Sequence, residues 1–382
     1  MKIGIVGNYG NNNNGDEAIL AGIIEQVKVQ YDIPARNIFV FSNNPPQTSN
    51  RFGVTSAPLY YKRSSAILTF FETIKKNSPL IRELDMLIIG GGGILMDFYN
   101  REAQLFGSYG IMARRGKVPY IVYGCGAGPI TSTMGKLFIR SLVNRSHSAS
   151  VRDPKSKQLL NRIGVRKDIS VIGDPSFALP SIKHEKSKDR LRNIGVTVVP
   201  YYSLAYWPEA NDIKYENYVQ GMAENLDAVL EKKDVKITLY STKFPHDVDV
   251  TVDVYNRMTN KKNVVINKEN LSPEEIIELS AAQDLIIGTR LHSLYLAVNA
   301  NTPIMAISYH HKVADFMDMM GMGDRTIGIE NLIKKKDSLI TILEKMDKEW
   351  PIKIVEANEL AHQMKEMASL GTQQFLPVKK EN

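Results

Sequence analysis

The residues best suited to chemistry stand at places where apolar runs give way to helical patterns. In "GTRLHS", Gly288 to Ser293, an arginine and a histidine sit two residues apart directly after the apolar run "DLIIG". An arginine fork grips a carboxylate or phosphate through two hydrogen bonds. A histidine at the same turn donates to a phosphate oxygen or moves a proton near neutral pH. The competing account is an Arg290 held by a structural carboxylate and a His292 satisfied by a backbone carbonyl. A second basic turn is "VRDPKS", where Arg152 ends a run, Asp153 can cap a helix and Pro154 fits its first position. A third is "SYHHKV", where Lys312 follows His310 and His311. Adjacent histidines in extended chain point opposite ways, and no HExxH or paired-cysteine spacing occurs, so a bound metal is not expected.

Two further motifs carry carboxylates and glycines. "GNYGNNNNGDEAIL" follows the first apolar run with Gly7, Gly10 and Gly15 in a spacing other than GxGxxG. Phe41 and Ser42 end the second run, where a dinucleotide fold would place a ribose-binding acid. Asp16 and Glu17 are either two carboxylates of a first helical turn or a base that accepts a proton from an acceptor hydroxyl. "IIGGGGILMD" and "YGCGAGP" contribute Gly92, Gly93 and Gly126 to loops where only glycine lets a substrate approach the backbone. The single cysteine, Cys125, has no base nearby in sequence and reads as a small buried residue.

The elements that must position these residues alternate. Runs at 2–6, 38–41, 85–89, 119–123, 149–151 and 169–172, then at 194–199, 235–240, 263–266, 284–287 and 303–307, are short, β-branched and largely apolar, and are separated by helical patterns. That pattern predicts parallel sheets covered on both faces. Its repetition predicts two doubly wound, Rossmann-like domains facing a cleft: residues 1–180, residues 190–345, and a helix and tail over 350–382 that returns to the first domain. The charged stretch 181–193 reads as a linker between them. Ligands in such sheets bind at strand C-termini, where Arg152 and Arg290 would clamp one anion from opposite sides. "LSPEEIIELSAAQ" carries a full capping-box pattern, with Ser272, Pro273 and Glu275 opening the helix before "DLIIG".

Composition narrows the partners. The chain has 382 residues and a net charge of +7, with 22 Lys/Arg against 12 Asp/Glu in residues 1–180 and 26 against 29 in the remainder. A basic half calls for an anionic partner, whether phosphorylated substrate or acidic membrane surface. The charges are scattered, with no aromatic-basic recognition motif, so nucleic acid is not expected. "APLYYKRSSAILTFFETIKK" (57–76) mixes aromatics, aliphatics and cations, as an interfacial patch does and as a core helix with a polar loop also can. One cysteine, no leading charged-then-apolar segment and no run of ~18–20 apolar residues predict a cytoplasmic protein.

The ordered set "GNYG…GDEAIL", "IIGGGGILMD", "YGCGAGP", "SVRDPKS", "GDPSFAL", "GTRLHSLYLA" and "SYHHKV" resembles the polysaccharide pyruvyltransferase family over residues 1–320. The resemblance implies a fold like the two-domain GT-B glycosyltransferases. It also implies transfer of the enolpyruvyl carbons of phosphoenolpyruvate to two hydroxyls of one sugar as a cyclic ketal, with no further cofactor. It places the phosphoenolpyruvate contacts on Arg152, Arg290, Leu291 (through its backbone) and His292, with Lys312 as a further contact. Catalytic roles fall to His292 as acid and Asp16 or Glu17 as base, with Asn14, Gly92, Gly93 and Gly126 in acceptor-side loops. The acceptor implied is a surface glycan, undecaprenyl-diphosphate-linked, met at the inner leaflet of the cytoplasmic membrane. Many members read Tyr-Asp-Pro-Lys where this chain has His310 and His311 before Lys312. The rival of the same architecture is a glycosyltransferase using a nucleotide sugar; "RLHSLYLAVNANTP" supplies no carboxylate for its ribose.

Overall fold

A computed structural model describes residues 1–98, 101–182, 184, 186, 190–207 and 209–377. The chain divides into two compact units. The first comprises Met1–Asn11, Asp16–Leu179 and the chain from Met364; the second comprises Asn12–Gly15 and Pro180–Gln363.

The first unit holds a seven-stranded sheet: β1 (Ile3–Val6), β2 (Ile38–Ser42), β3 (Thr55–Pro58), β4 (Met86–Gly90), β5 (Tyr120–Cys125), β6 (Ala149–Val151) and β7 (Ser170–Val171). Its order is β3-β2-β1-β4-β5-β6-β7, parallel throughout. β1, β4 and β5 are buried at every residue. They are buried on both faces, which is why their sequences are continuous apolar runs and not alternating ones. Right-handed crossovers from β3 through β6 put helices Ala66–Arg82, Glu102–Arg115 and Thr133–Asn144 on one face. Asn14–Tyr31 and Pro45–Phe52 cover the other. The returning chain joins that second face. Gly173 N–H donates to Met367 O at 2.9 Å, Gln26 Nε2 to Ala368 O at 2.9 Å, and the Phe375 ring stacks on Tyr31 and lies tilted against Tyr123, 5.0 Å between centres.

The second unit holds β8 (Asn193–Thr197), β9 (Lys236–Tyr240), β10 (Val264–Ile266), β11 (Leu285–Gly288), β12 (Ile304–Ser308) and β13 (Thr326–Gly328). Their order is β10-β9-β8-β11-β12-β13, again parallel. In each sheet the order reverses once, beside β1 and beside β8, and loops at such a reversal are where open sheets bind ligands. The helix over 273–281 is capped as expected, Ser272 and Glu275 exchanging both bonds of a capping box.

Two strands lie outside the apolar runs. β3 reads TSAP and β13 reads TIG; both are sheet edges, where a strand needs no second buried face. The stretch 181–193 begins just past the end of the first unit's segment at Leu179. Its residues 183, 185 and 187–189 lie outside the described residues, but the Lys186 ammonium donates to Ala281 O and Gln283 O at 2.6 Å and to Thr302 Oγ1 at 2.8 Å. The tail residues 378–382 are likewise outside them.

Candidate active site

In the second unit, β11 ends at Gly288 and helix Leu291–Asn299 begins three residues later with Arg290 as its N-cap residue. The first turn of that helix carries no acidic residue, so its N–H groups and positive dipole end are not neutralised from within. Ser293 Oγ accepts from Thr197 Oγ1 at 3.1 Å and donates to Arg290 O at 2.6 Å. Thr289 N–H donates to Thr197 Oγ1 at 3.2 Å. These bonds tie the turn to the end of β8, across the order reversal.

Arg290 is not an open fork. Its Nε donates to Asp247 Oδ2 at 2.7 Å and its Nη2 to Asp247 Oδ1 at 2.6 Å. Asp247 is fully buried in the first turn of helix His246–Arg257. Burial works against the guanidinium charge, but the Asp247 carboxylate together with Tyr309 and Tyr206 holds the pKa well above the ordinary value. The pairing uses one edge of the guanidinium and fixes its plane. On another edge, Nη1 meets Tyr206 Oη at 3.5 Å, and the guanidinium carbon lies 5.3 Å from the Tyr206 ring centre. Lys243 Nζ is 4.5 Å from the same ring centre and donates to the phenol oxygen at 3.3 Å. Burial would raise the Tyr206 pKa, yet the charges of Arg290 and Lys243 bring it below its usual value.

His292 is half-buried, its ring 5.3 Å from that of Tyr295. It also lies against Gly15, where an added Cβ would stand 2.4 Å from His292 Nδ1. Only a hydrogen side chain fits there. The segment carrying Gly15 is held by Asn14 N–H donating to Thr242 O at 3.0 Å and Phe244 N–H donating to Asn12 O at 3.0 Å. Asn14 itself is buried. Leu291 is half-buried at the first position of the helix.

Lys312 lies in the first turn of helix His311–Met319, its N–H donating to His310 Nδ1 at 3.4 Å. The two histidines do not point opposite ways. The strand stops at Ser308, and their rings lie 4.1 Å apart at the helix start. Burial, with His311 and Lys312 beside it, pushes His310 down to about 4. No group of three or more His, Cys, Asp or Glu among the described residues is arranged to hold a metal ion.

In the first unit, the expected residues line the C-terminal ends of β1, β4, β5 and β6. Glu17 is buried, and its Oε1 accepts the Gly10 N–H at 2.8 Å. Burial raises its carboxyl pKa, opposed by that bond and by Arg51. Asp16 accepts from Asn8 Nδ2 at 3.1 Å. Gly92 has φ +68°, and a Cβ on it would meet Asp16 Oδ1 at 3.0 Å. Gly126 N–H donates to Gly92 O at 2.8 Å, lacing the β4 and β5 loops together, with Gly93 half-buried between them. Arg152 is also engaged, Nη1 donating to buried Asp174 at 3.0 Å. Asp153 caps its helix through Ser156 N–H at 2.7 Å. Cys125 is wholly buried, which pushes its thiol up to about 12.

Sequence reading did not find Asp247, Tyr206 or Lys243. Asp247 sits in "HDVDV", an acidic pattern no different from any exposed helix start. Only its pairing distinguishes it. The signal for Gly15 was present as the last glycine of its loop, but the histidine it accommodates is 277 positions away.

Two parallel Rossmann-like sheets with loops gathered at their strand C-termini define the class: this is a protein of the GT-B fold. Solved structures it is similar to include the UDP-GlcNAc 2-epimerase of Neisseria meningitidis bound to UDP-GlcNAc, with TM-score 0.61 and 11% identity over 97% of this chain and 98% of that one. HepE of Anabaena in complex with UDP-glucose gives TM-score 0.60 and 13% identity over 98% of each chain. At such identities the likeness is one of fold. The description "polysaccharide pyruvyl transferase" matches residues 13–311, and the chain belongs to that family of transferases. Among curated proteins, the amylovoran biosynthesis protein AmsJ of Erwinia amylovora is 23% identical over 381 residues, covering 87% of this chain and 89% of the relative.

Proposed function

We propose that this protein moves the enolpyruvyl carbons of phosphoenolpyruvate onto two hydroxyls of one sugar in a lipid-linked exopolysaccharide unit, forming a cyclic ketal and releasing phosphate. The observation that carries the proposal is the turn after β11. There a helix N-terminus free of acidic residues follows Arg290, whose plane is set by Asp247, with His292 one residue beyond Leu291. A small frame bearing both carboxylate and phosphate suits a receptor of N–H groups and a guanidinium edge. In this reading the donor contacts Arg290, the Leu291 backbone, His292 and Lys312, and Arg152 offers a second cation. The Nη1 side of Arg290 is the edge that serves it, because Asp247 occupies the other.

The chemistry then runs in three steps. His292 delivers a proton to the CH2 carbon of the donor, leaving C2 electrophilic. A sugar hydroxyl adds to C2 and gives up its proton to a carboxylate. The C2–O bond to phosphate breaks, and the second hydroxyl closes the ring, losing its proton as phosphate leaves. Asp16 suits the base better than Glu17, whose Oε1 holds the Gly10 N–H. The acceptor-side loops would be those of Asn14, Gly92, Gly93 and Gly126. AmsJ, by its name, serves amylovoran synthesis, which supports an exopolysaccharide acceptor.

Incubation of the parent, Arg290→Ala and His292→Ala proteins with phosphoenolpyruvate and a diphosphate-linked sugar tests this. The expected result is phosphate release and a product carrying the ketal for the parent, with both lost in the variants. Parental rates in both variants refute the assignment. A midpoint of melting that shifts with UDP-sugars and not with phosphoenolpyruvate would favour the nucleotide-sugar transferase instead.

A further inference from the structure

The helices Ala66–Arg82, Glu102–Arg115 and Thr133–Asn144 pack side by side on one face of the first sheet. Each follows a strand and runs back against it, so their first turns all lie at the strand C-terminal rim. At that rim the two outer helices expose large apolar side chains. Ile67, Leu68 and Phe71 belong to the first and Met134 and Leu137 to the third, each between 51% and 69% exposed. Fraying does not account for this. Ser65 caps the first helix by accepting the Leu68 N–H at 3.2 Å, and Ser132 caps the third by accepting the Gly135 N–H at 2.9 Å. Buried Asp97 fixes the chain before the third helix, accepting the N–H groups of Thr131 and Ser132 at 2.8 and 2.6 Å.

Charge on this face is one-sided. Residues 60–82 and 98–145 contain twelve lysines and arginines against two acids, Glu72 and Glu102. Five of the twelve, Arg82, Arg114, Arg115, Lys117 and Arg145, stand at or beyond the helices' C-terminal ends, away from this rim. Arg63 pairs with Glu72 at 2.8 Å, so the cations at the rim itself are Lys62, Arg63, Arg101 and Lys136. Lys62 and Arg63 stand beside the first apolar group and Lys136 beside the second, all exposed. The two groups are one helix apart, roughly 20 Å at ordinary helix spacing. Rigidly presented apolar side chains flanked by exposed lysines match the physics of an anionic lipid surface, which takes aliphatic and aromatic groups into its boundary and attracts each cation. A protein partner of mixed charge would not call for so one-sided a face.

We propose that this rim of the first unit seats on an anionic membrane surface, with Ile67, Leu68, Phe71, Met134 and Leu137 entering the headgroup boundary. Seating leaves the strand C-terminal loops of this unit, those of Gly92 and Gly126, at the lipid side, where a lipid-linked sugar would be held. Among the described residues no helix is long and apolar enough to cross a membrane.

The test is sedimentation of the full chain with vesicles of phosphatidylcholine alone and with about a third phosphatidylglycerol, at low salt and without substrate. Binding is expected to be at least about tenfold tighter to the anionic vesicles and to weaken as salt rises. Leu68→Ser with Phe71→Ser should weaken it about tenfold or more. Lys62→Gln with Lys136→Gln should weaken it about fivefold per charge removed, while Lys232→Gln with Lys236→Gln in the second unit changes nothing. Melting curves confirm that the surface variants fold. No binding, equal binding to both vesicles, or parental binding by the variants overturns the proposal. So does analytical ultracentrifugation in which the apolar variants abolish a dimer that the parent forms. Because no donor or acceptor is present, failure here is distinct from failure of the pyruvyl-transfer reading.

Discussion

Replacing Asp247 by Asn probes the site at the point its geometry depends on most. The side chain keeps its shape and one acceptor oxygen but loses the charge that balances Arg290. Asp247 is fully buried and the Arg290 side chain nearly so. Removing one partner of a buried pair costs about 3–5 kcal/mol, because the surviving ion stays desolvated. The remaining amide oxygen recovers part of that, leaving about 2–4 kcal/mol. For a unit of this size about 1 kcal/mol moves a midpoint by ~2–4 °C, so a fall of about 5–15 °C is expected. The guanidinium also loses its fixed plane, so the KM for phosphoenolpyruvate should rise about tenfold or more while the acceptor KM stays put. Calorimetry and steady-state phosphate release read the two effects. In an Arg290→Met background the same substitution should cost about 2 kcal/mol less, since no buried cation is then abandoned. A variant melting within about 1 °C of the parent, with unchanged donor kinetics, would show that the pair neither supports the unit nor aims the arginine.

Other expectations follow from single contacts. Gly15→Ala should cost about 1–3 kcal/mol and depress activity further than stability, because its Cβ displaces the His292 ring; an activity loss no larger than the unfolded fraction refutes this. Asp16→Asn should abolish ketal formation, whereas Glu17→Gln, which still accepts the Gly10 N–H, should stay within about 1 kcal/mol of the parent and remain active; reversed activities would exchange their roles. Cys125 should resist iodoacetamide in the folded protein at neutral pH and label only on unfolding, as mass spectrometry can show. His310 binds its proton less readily folded than unfolded, so the unfolded chain takes up more protons on acidification. The stability it contributes is therefore whole above about pH 6.5 and lost as pH falls toward about 4. His310→Asn should flatten that part of the melting profile.

The fold was legible where both faces of a strand are buried. Continuous runs such as IGIV and MLIIG leave little choice of element, and the caps at Ser272 and Asp153 announced their helices. β3 and β13 were not, because an edge strand needs neither an apolar run nor β-branched residues. The positions of Arg290, Leu291 and His292 at a helix start followed from local pattern, whereas the helix start at Lys312 did not. Nor did the partners of Arg290 and His292, since Asp247 and Gly15 reach the turn through tertiary packing, and nothing local marks a carboxylate as the one an arginine will meet. The orientation of His310 and His311 failed for a related reason: the strand ends one residue before Tyr309, so the alternation of extended chain no longer applied.

The chain threads its units out of order. Residues 12–15 count with the second unit and the stretch from Met364 with the first, where Phe375 closes over Tyr31 and Tyr123. On the ribosome, therefore, the first sheet emerges early, yet the part of that face around Tyr31 and Tyr123 waits for residues 364–377 to cover it. Nor can either unit be released by a single cut. A fragment stopping at Leu179 leaves the side of β5 that carries Tyr123 without its aromatic lid, and restoring it means grafting 364–377 behind residue 179.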